Sequence, residues 1–399
     1  MCKNISIKQG HSIYIYEEEI EFILKVLENK GIDIECFDRS QNILNLNKSY
    51  VGYIKTNKRI IELTPKHESI TLNHIIRMYY FVYGTFKNFE DPIFDLNSSE
   101  NYINIIDMFI NELKTIKRKG LSTEYISNKE CSNYIRGSVD YVNSYKNIII
   151  LKNNPFENYI DELTVDNILN RTLKKAFKKV CNVKTDIDDL RNIKKIFSNV
   201  NDLEAKEKNV YFSSKNYYCK NAYFLAKLIL EESYFDNSGD IGGESFLINY
   251  DLLFENFIKK ILFKVSKDTR FIEWNGKQVY GQWERNDKLY IPDILFNYSS
   301  RSDECTAVID VKNKLDGTFK NADIFQMLFY SGMLNCKKAI LCYPSNKDEK
   351  NKVLEIYSDN FVTNKIYSVY IDISVESKDD FKKEIFNLIE KIYCCIEEN

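Results

Sequence analysis

Asp293 and the triplet Asp310-Val311-Lys312 are the residues of this chain best suited to chemistry. Pro292 sets the first carboxylate at a turn into the strand-like run Pro292-Asp293-Ile294. The run Ala307-Val308-Ile309-Asp310-Val311-Lys312 sets the second on an apolar strand. Successive strand side chains alternate faces, so Asp310 and Lys312 are expected to point one way and Ile309 and Val311 into the core. Two carboxylates and a lysine at a sheet edge suit a divalent cation and an activated water, the chemistry of phosphodiester hydrolysis. The competing reading is an exposed edge strand with a solvated ion pair. The β-branched setting weighs against it, because a charged pair in a buried strand is costly unless something such as a metal ion compensates.

The spacing alone carries little. Asp348-Glu349-Lys350 and Asp380-Phe381-Lys382 repeat it, the first in a polar loop and the second opening an amphipathic C-terminal helix near Lys378. What separates Asp310-Val311-Lys312 is its strand and its neighbours. Asp323 to Tyr330 reads as a helix in which Gln326 and Tyr330 share a face at i, i+4. Beside the strand, that helix could turn an amide and a phenol toward a phosphate or a metal-bound water; ordinary helix-surface polarity is the alternative. Tyr250 to Ile258 begins another helix, where Glu255 interrupts an apolar stretch. Glu255 is either a third metal-site acid or a solvent-facing residue.

These elements sit in a chain of 399 residues, long enough for two or three domains. A hydrophobic content of 44% with 29% charged residues is ordinary for a soluble globular protein. No apolar run reaches the roughly 18 residues needed to cross a bilayer, and Met1-Cys2-Lys3-Asn4-Ile5 lacks the apolar core of an export signal. The expectation is therefore a cytoplasmic protein, without membrane association, whose ten cysteines are reduced thiols. With no Cys-x-x-Cys pair and three histidines, a structural zinc site is not expected. No Gly-x-x-x-x-Gly-Lys-Ser/Thr loop occurs, so the chain binds no nucleotide by itself through a P-loop. The formal net charge of −2 argues against strong intrinsic DNA binding. Lysine clusters at Lys114–Lys119 and Lys174–Lys179 read as solvated helix faces.

Along the chain the pattern divides into a β-rich module over 1–68, a mainly helical region over 69–236 and an α/β domain over 243–399. The first alternates short strands (Ser12–Tyr16, Ile43–Leu46, Tyr50–Ile54, Arg59–Leu63) around a helix near Glu18–Lys30, with Lys55, Lys58 and Arg59 about a hairpin tip. The second carries helical periodicity in Val165–Val180, Asp186–Phe197 and Ala222–Glu231, broken by Arg136-Gly137 and an apolar strand at Ile148–Leu151. Asn237 to Gly243 reads as the linker before the third.

Taken in order, the motifs resemble the McrC family, the cleavage subunits of McrBC modification-dependent restriction systems. The C-terminal pieces are Leu253-Phe254-Glu255-Asn256-Phe257, Pro292-Asp293-Ile294, Asp310-Val311-Lys312, Asp323 to Tyr330 and Ala339-Ile340-Leu341-Cys342-Tyr343-Pro344. Further landmarks are Tyr50-Val51-Gly52-Tyr53-Ile54, Ile60 to Lys66, Arg77-Met78-Tyr79-Tyr80, Arg136-Gly137 and Asp166 to Leu173.

The resemblance implies a PD-(D/E)xK nuclease domain, a central mixed sheet flanked by helices, at the C-terminus of a mixed α+β chain. It implies Asp293 and Asp310, with Glu255 less securely matched, as ligands of Mg²⁺ (a two-metal site being possible). Lys312 would be the residue that orients the attacking water, with Gln326 and Tyr330 in support. It further implies that residues 1–236 dock on and stimulate a hexameric AAA+ GTPase of McrB type, which translocates methylated double-stranded DNA. Where the family often has Asp-Ala-Lys-Tyr-Lys, this chain reads Asp310-Val311-Lys312-Asn313-Lys314. A non-cleaving adaptor that stimulates a partner NTPase and a stand-alone nuclease are the alternatives.

Overall fold

A computed structural model of the chain describes residues 3–33, 37–45, 49–84, 105–181, 187–202, 210–236, 243–274, 279–283, 286–314, 319–345, 351–358 and 361–398. The chain separates into two compact units, Met1–Ile103 with Ser238–Asn399, and Asn104–Asn237. This grouping differs from a division into three consecutive segments, because N-terminal and C-terminal strands pair within one unit. The expected linker at 237–242 lies outside the described residues.

The first unit opens with β1 (Lys3–Lys8), β2 (Ile13–Tyr14), α1 (Glu17–Asn29), β3 (Phe37–Asp38), β4 (Ile43–Leu44), β5 (Tyr50–Lys55), β6 (Arg59–Thr64) and α2 (Leu72–Tyr83). β1 runs parallel to β6, β6 antiparallel to β5, and β2, β4 and β3 form a separate small sheet. The basic hairpin tip is paired off. Lys55 meets Glu244, Lys58 meets Glu18, and Arg59 meets Glu19. The last pair is the anchor. Arg59 is 4% and Glu19 2% exposed, Arg59 Nη2 lies 2.6 Å from Glu19 Oε2, and Thr56 Oγ1 donates to Glu19 Oε1 at 2.7 Å. Removing one member leaves the other charge buried and uncompensated. Arg59→Met is expected to lower stability by about 3 kcal/mol, read as a fall in the thermal midpoint; an unchanged midpoint would contradict this.

The second unit contains α3 (Ile105–Lys119), β7 (Glu124–Ser132), β8 (Ser138–Val139), α4 (Tyr141–Ile149), β9 (Phe156–Thr164), α5 (Ile168–Cys181), α6 (Ile187–Lys194), α7 (Lys220–Glu232) and β10 (Ser233–Asp236). Its core is helical, made by Phe109 and Leu113 of α3, Leu173 and Phe177 of α5, and Leu225 and Leu228 of α7. The α5 lysines serve this packing: Lys174 and Lys178 pair with Asp202, and Lys179 donates to the Ser233 carbonyl. β7 and β9 pair in unbroken antiparallel register from Glu124↔Thr164 to Ser132↔Phe156, with β8 on the other side of β9. Gly137 enters β8 with φ +68°, and a Cβ there would stand 2.4 Å from the Tyr159 carbonyl oxygen, so only glycine fits. The apolar run Ile148–Leu151, expected as a strand, is instead the C-terminal end of α4 and the turn beyond it, and all four residues are exposed. Length misled the reading, since a short apolar run does not distinguish a strand from the end of a helix.

The first unit resumes with β11 (Gly243–Asn249), α8 (Tyr250–Lys260), β12 (Phe271–Glu273), β13 (Val279–Trp283), β14 (Asn286–Leu289), β15 (Ile294–Phe296), β16 (Ala307–Val311), α9 (Asn321–Met333), β17 (Lys338–Ser345), β18 (Lys352–Ser358), β19 (Phe361–Asp372) and α10 (Lys378–Glu397). β11 pairs antiparallel with β5 and crosses it at Gly52, where a Cβ would meet the Phe246 carbonyl oxygen at 2.0 Å. The larger sheet is ordered β12-β15-β16-β17-β19-β18 and is mixed: β16, β17 and β19 are parallel, and β15 is antiparallel to β16. Ala339, Leu341 and Tyr343 of β17 share a core with Met327, Tyr330 and Leu334 of and after α9. From the other face of β17, Lys338 donates to the Ile396 carbonyl of α10. The sheet is therefore covered on both faces, as a mixed sheet with parallel central strands requires. Asp380 belongs to the α10 cap, its N–H bonded to Ser377 Oγ, which disposes of the second Asp-x-Lys triplet; the first lies outside the described residues. Among the described residues no helix is long and apolar enough to cross a membrane.

Candidate functional site

β16 is flanked by β15 and β17, and its position in the sheet decides the character of Asp310. Val308 and Ile309 are fully buried, and Asp310 itself is 2% exposed. It lies in a strand buried on both faces, as the β-branched run implied and unlike the competing exposed edge strand, and such a place is unfavourable for an uncompensated charge. Asp310 shares the Val308 face, which packs against α9. Lys312, just past the strand, stands with its Nζ 2.6 Å from Asp310 Oδ2.

Asp293 arrives from the antiparallel neighbour. β15 pairs Ile294 with Ile309, so the residue before β15 lies beside the end of β16. There Asp293 Oδ2 accepts the Val311 N–H at 2.7 Å. The turn at Pro292 thus brings the Asp293 carboxylate, just before β15, beside the end of β16 that carries Asp310.

The electrostatics of the pair are unbalanced. Burial, then the charge of Asp310, pushes the Asp293 carboxyl up to about 7. Burial also raises Asp310, against the pull of Lys312. For Lys312 burial acts to lower the affinity for a proton, but Asp310, Asp293 and Asp323 outweigh it and hold it above the ordinary lysine value. One ammonium is too little for the buried carboxylate of Asp310 and the half-buried one of Asp293. Carboxylate oxygens short of positive charge are the donor set of a hard divalent cation, so the residues present fit one.

The remaining expected residues divide. Gln326 Nε2 donates to Tyr330 Oη at 2.8 Å and lies 3.5 Å from Asp310 Oδ1, while Tyr330 Oη donates to the Ile291 carbonyl at 3.2 Å. The amide and phenol therefore border Asp310 and brace the turn that carries Asp293. Glu255 is placed otherwise. Its charge raises both Asp293 and Asp310, yet its carboxylate is held by Lys259 at 2.7 Å, which also binds Glu273 at 2.8 Å. Among the described residues no group of three acidic, cysteine or histidine side chains is gathered closely enough to hold a metal.

Sequence reading missed Asp323 as a site neighbour. It is 3% exposed in the first turn of α9, and Lys314 Nζ reaches its two oxygens at 2.6 and 2.7 Å. The signal lay in the second lysine of Asp310-Val311-Lys312-Asn313-Lys314, which needs a counter-ion if it lies near the first.

The second unit carries a different feature. Tyr125, Tyr134, Ile135, Tyr141, Val142, Tyr145, Ile149, Ile150 and Leu151 are all at least 60% exposed. They lie on the β7–β9 ribbon, its turns and α4. So many large apolar side chains in one short stretch exceed the scattered exposure normal for a monomer surface.

Comparison with known proteins follows from this geometry. The family model for the McrBC 5-methylcytosine restriction system component matches residues 46–344. No curated protein sequence matches the chain. A solved structure described as the refined half-complex from a tetradecameric assembly of Thermococcus gammatolerans McrB AAA+ hexamers with bound McrC is similar at 16% identity. The match covers 98% of this chain and 100% of that chain, with a TM-score of 0.56. At that identity the likeness establishes the fold. The cryo-EM structure of the Thermococcus gammatolerans McrBC complex aligns over 67% of this chain and 89% of that chain at 16% identity, with a TM-score of 0.40, too low to add to it.

Proposed function

The chain belongs to the family of McrBC 5-methylcytosine restriction system components, and from that membership we propose that it is the DNA-cleaving subunit of such a system, a Mg²⁺-dependent endonuclease of PD-(D/E)xK type. The observation that carries the reading is the meeting of Asp293, Asp310 and Lys312 at the end of β16. Asp293 and Asp310 would hold the cation. A Mg²⁺ ion held there would supply Lewis acidity to the reaction. Lys312 would orient the attacking water and offset negative charge developing on the phosphate. Gln326 holds Tyr330, and Tyr330 holds the Ile291 carbonyl, keeping the Asp293 turn in register with β16. Glu255 would join the ligands only if its ion pair with Lys259 opened.

The near-neutral charge of the chain favours delivery of DNA by a partner over capture by this subunit alone. We take that partner to be an AAA+ GTPase of McrB type, acting on methylated duplex DNA in the cytoplasm. The exposed apolar residues of the β7–β9 ribbon and α4 supply a surface for it, because a docked partner would remove them from water. Ile149→Asp with Leu151→Asp is expected to reduce stimulation of the partner's GTP turnover at least about tenfold without moving the thermal midpoint, since both side chains are already solvated. GTP turnover equal to wild type would remove this surface from the proposal. The nuclease assignment itself is tested by cleavage with the Asp310 and Asp293 variants described below.

A further inference from the structure

Lys312 stands where the β16 ladder ends. Its N–H donates to the Cys342 carbonyl of β17 at 2.9 Å, and the next residue has left the strand. That residue, Asn313, is gripped from two sides. Its Nδ2 donates to Asp251 Oδ1 at 2.6 Å, and its carbonyl accepts from Lys66 Nζ at 3.3 Å. Asp251 lies in the first turn of α8 and is itself held, its Oδ2 accepting from Ser49 Oγ at 2.7 Å. The Ser49 carbonyl in turn accepts the Tyr250 N–H at 2.7 Å. Two segments remote in sequence, the exit from β6 and the start of α8, thus meet at the one residue after Lys312, and the approach to β5 holds the second of them in turn.

The convergence has a physical consequence. Strand ends fray, and a lysine reaches through four rotatable bonds, so its ammonium is useful only if its backbone is fixed to about half an ångström. The ladder fixes Lys312 on one side; Asn313 supplies the other. An amide is suited to this place because it donates to a carboxylate that has a second oxygen engaged elsewhere, which an apolar side chain cannot do.

We propose that Asn313 is a positioning residue for Lys312, held by Asp251, and that Ser49 and Lys66 make the N-terminal strands part of the support of the catalytic strand. The proposal rests on the reading of Lys312 as a cleavage residue. It makes the first unit's N-terminal portion a structural partner of the nuclease sheet, and gives any rearrangement of β5 and β6 a direct path to the Lys312 backbone.

The test uses the full chain with its GTPase partner, and the variants Asn313→Ala and Asp251→Ala, each of which removes the hydrogen bond between the two side chains. Each is expected to lower kcat for cleavage about tenfold or more with KM for DNA unchanged, and the double variant to be no worse than the more damaged single one. A second readout needs neither metal nor DNA: acetylation of Lys312 by an amine-reactive reagent, followed by mass spectrometry, should quicken severalfold in both variants while the thermal midpoint holds. Wild-type labelling rates in both variants, or a kcat loss that only parallels a falling midpoint, would overturn the proposal. A wild-type chain that cleaves nothing would sink the nuclease reading instead, while the labelling still decides whether Asn313 positions Lys312.

Discussion

Asp310→Ala lowers partner-dependent DNA cleavage by about a thousandfold or more and leaves partner binding and GTP stimulation at the wild-type level. Asp310 is the residue on which the site converges: Lys312 Nζ at 2.6 Å, Gln326 Nε2 at 3.5 Å, and Asp293 close enough for the Asp310 charge to raise its proton affinity. Losing it would remove the proposed cation ligand and removes the counter-ion of Lys312. The alanine also leaves Lys312 unpaired in a buried setting, so some stability falls with activity. Asp310→Asn preserves the shape and separates the two effects. If the asparagine variant folds with a wild-type midpoint, stimulates GTP turnover and cuts at the wild-type rate, Asp310 is no ligand. Loss of folding, stimulation and cleavage together in both variants would make it a structural residue.

Asp293→Asn is expected to move activity and stability in opposite directions. Cleavage falls about a hundred- to a thousandfold, yet the metal-free protein becomes more stable at pH 8. The sign follows from the direction of the shift. The Asp293 carboxyl has its folded value raised from 3.8 to about 7, chiefly by burial, so the fold favours its neutral form. Below about pH 4 it is neutral folded and unfolded, and it costs nothing. As pH climbs from about 4 to 7 the unfolded chain ionises first and the native state loses ground, and above about 7 the loss is complete, on the order of 2–4 kcal/mol. Asparagine keeps an acceptor for the Val311 N–H and carries no charge. The midpoint should rise by roughly 5 °C at pH 8 and hardly at all at about pH 3. Mg²⁺ should raise the wild-type midpoint at pH 8 and leave the asparagine variant nearly unmoved. A variant less stable than wild type at pH 8 without metal would contradict a half-buried carboxylate held short of compensating charge.

How far the sequence spoke depended on whether a feature was local. β16, α8, α9 and β17 were legible because periodicity and β-branched residues mark them directly, and Asp293, Asp310, Lys312, Gln326 and Tyr330 fall together because those elements are adjacent in space. The pairing of β5 with β11 was not legible, since nothing within either strand names a partner nearly two hundred residues away. β7 and β9 were missed for another reason. Glu124-Tyr125-Ile126-Ser127-Asn128-Lys129-Glu130-Cys131 is exposed throughout, so it shows no alternation of buried and solvated residues for a strand reading to detect. The place of Glu255, facing the site yet tied to Lys259, could not be read either, because an acid at i and a lysine at i+4 on a helix is as common on a plain surface. Asn313 looked like a departure from the family pattern. In the fold it is the residue that joins the end of the catalytic strand to Asp251 and Lys66.

The most direct test is cleavage of methylated supercoiled plasmid in Mg²⁺ by the wild-type chain and by Asp310→Ala, each with and without the McrB-type GTPase and GTP. Linear product from the wild-type chain only when partner and GTP are present, and none from Asp310→Ala although GTP turnover is stimulated equally, is the expected result. Plasmid left intact by the wild-type chain while GTP turnover rises would contradict Asp293, Asp310 and Lys312 as a cleavage site, and cleavage undiminished without the partner would contradict its dependence on one.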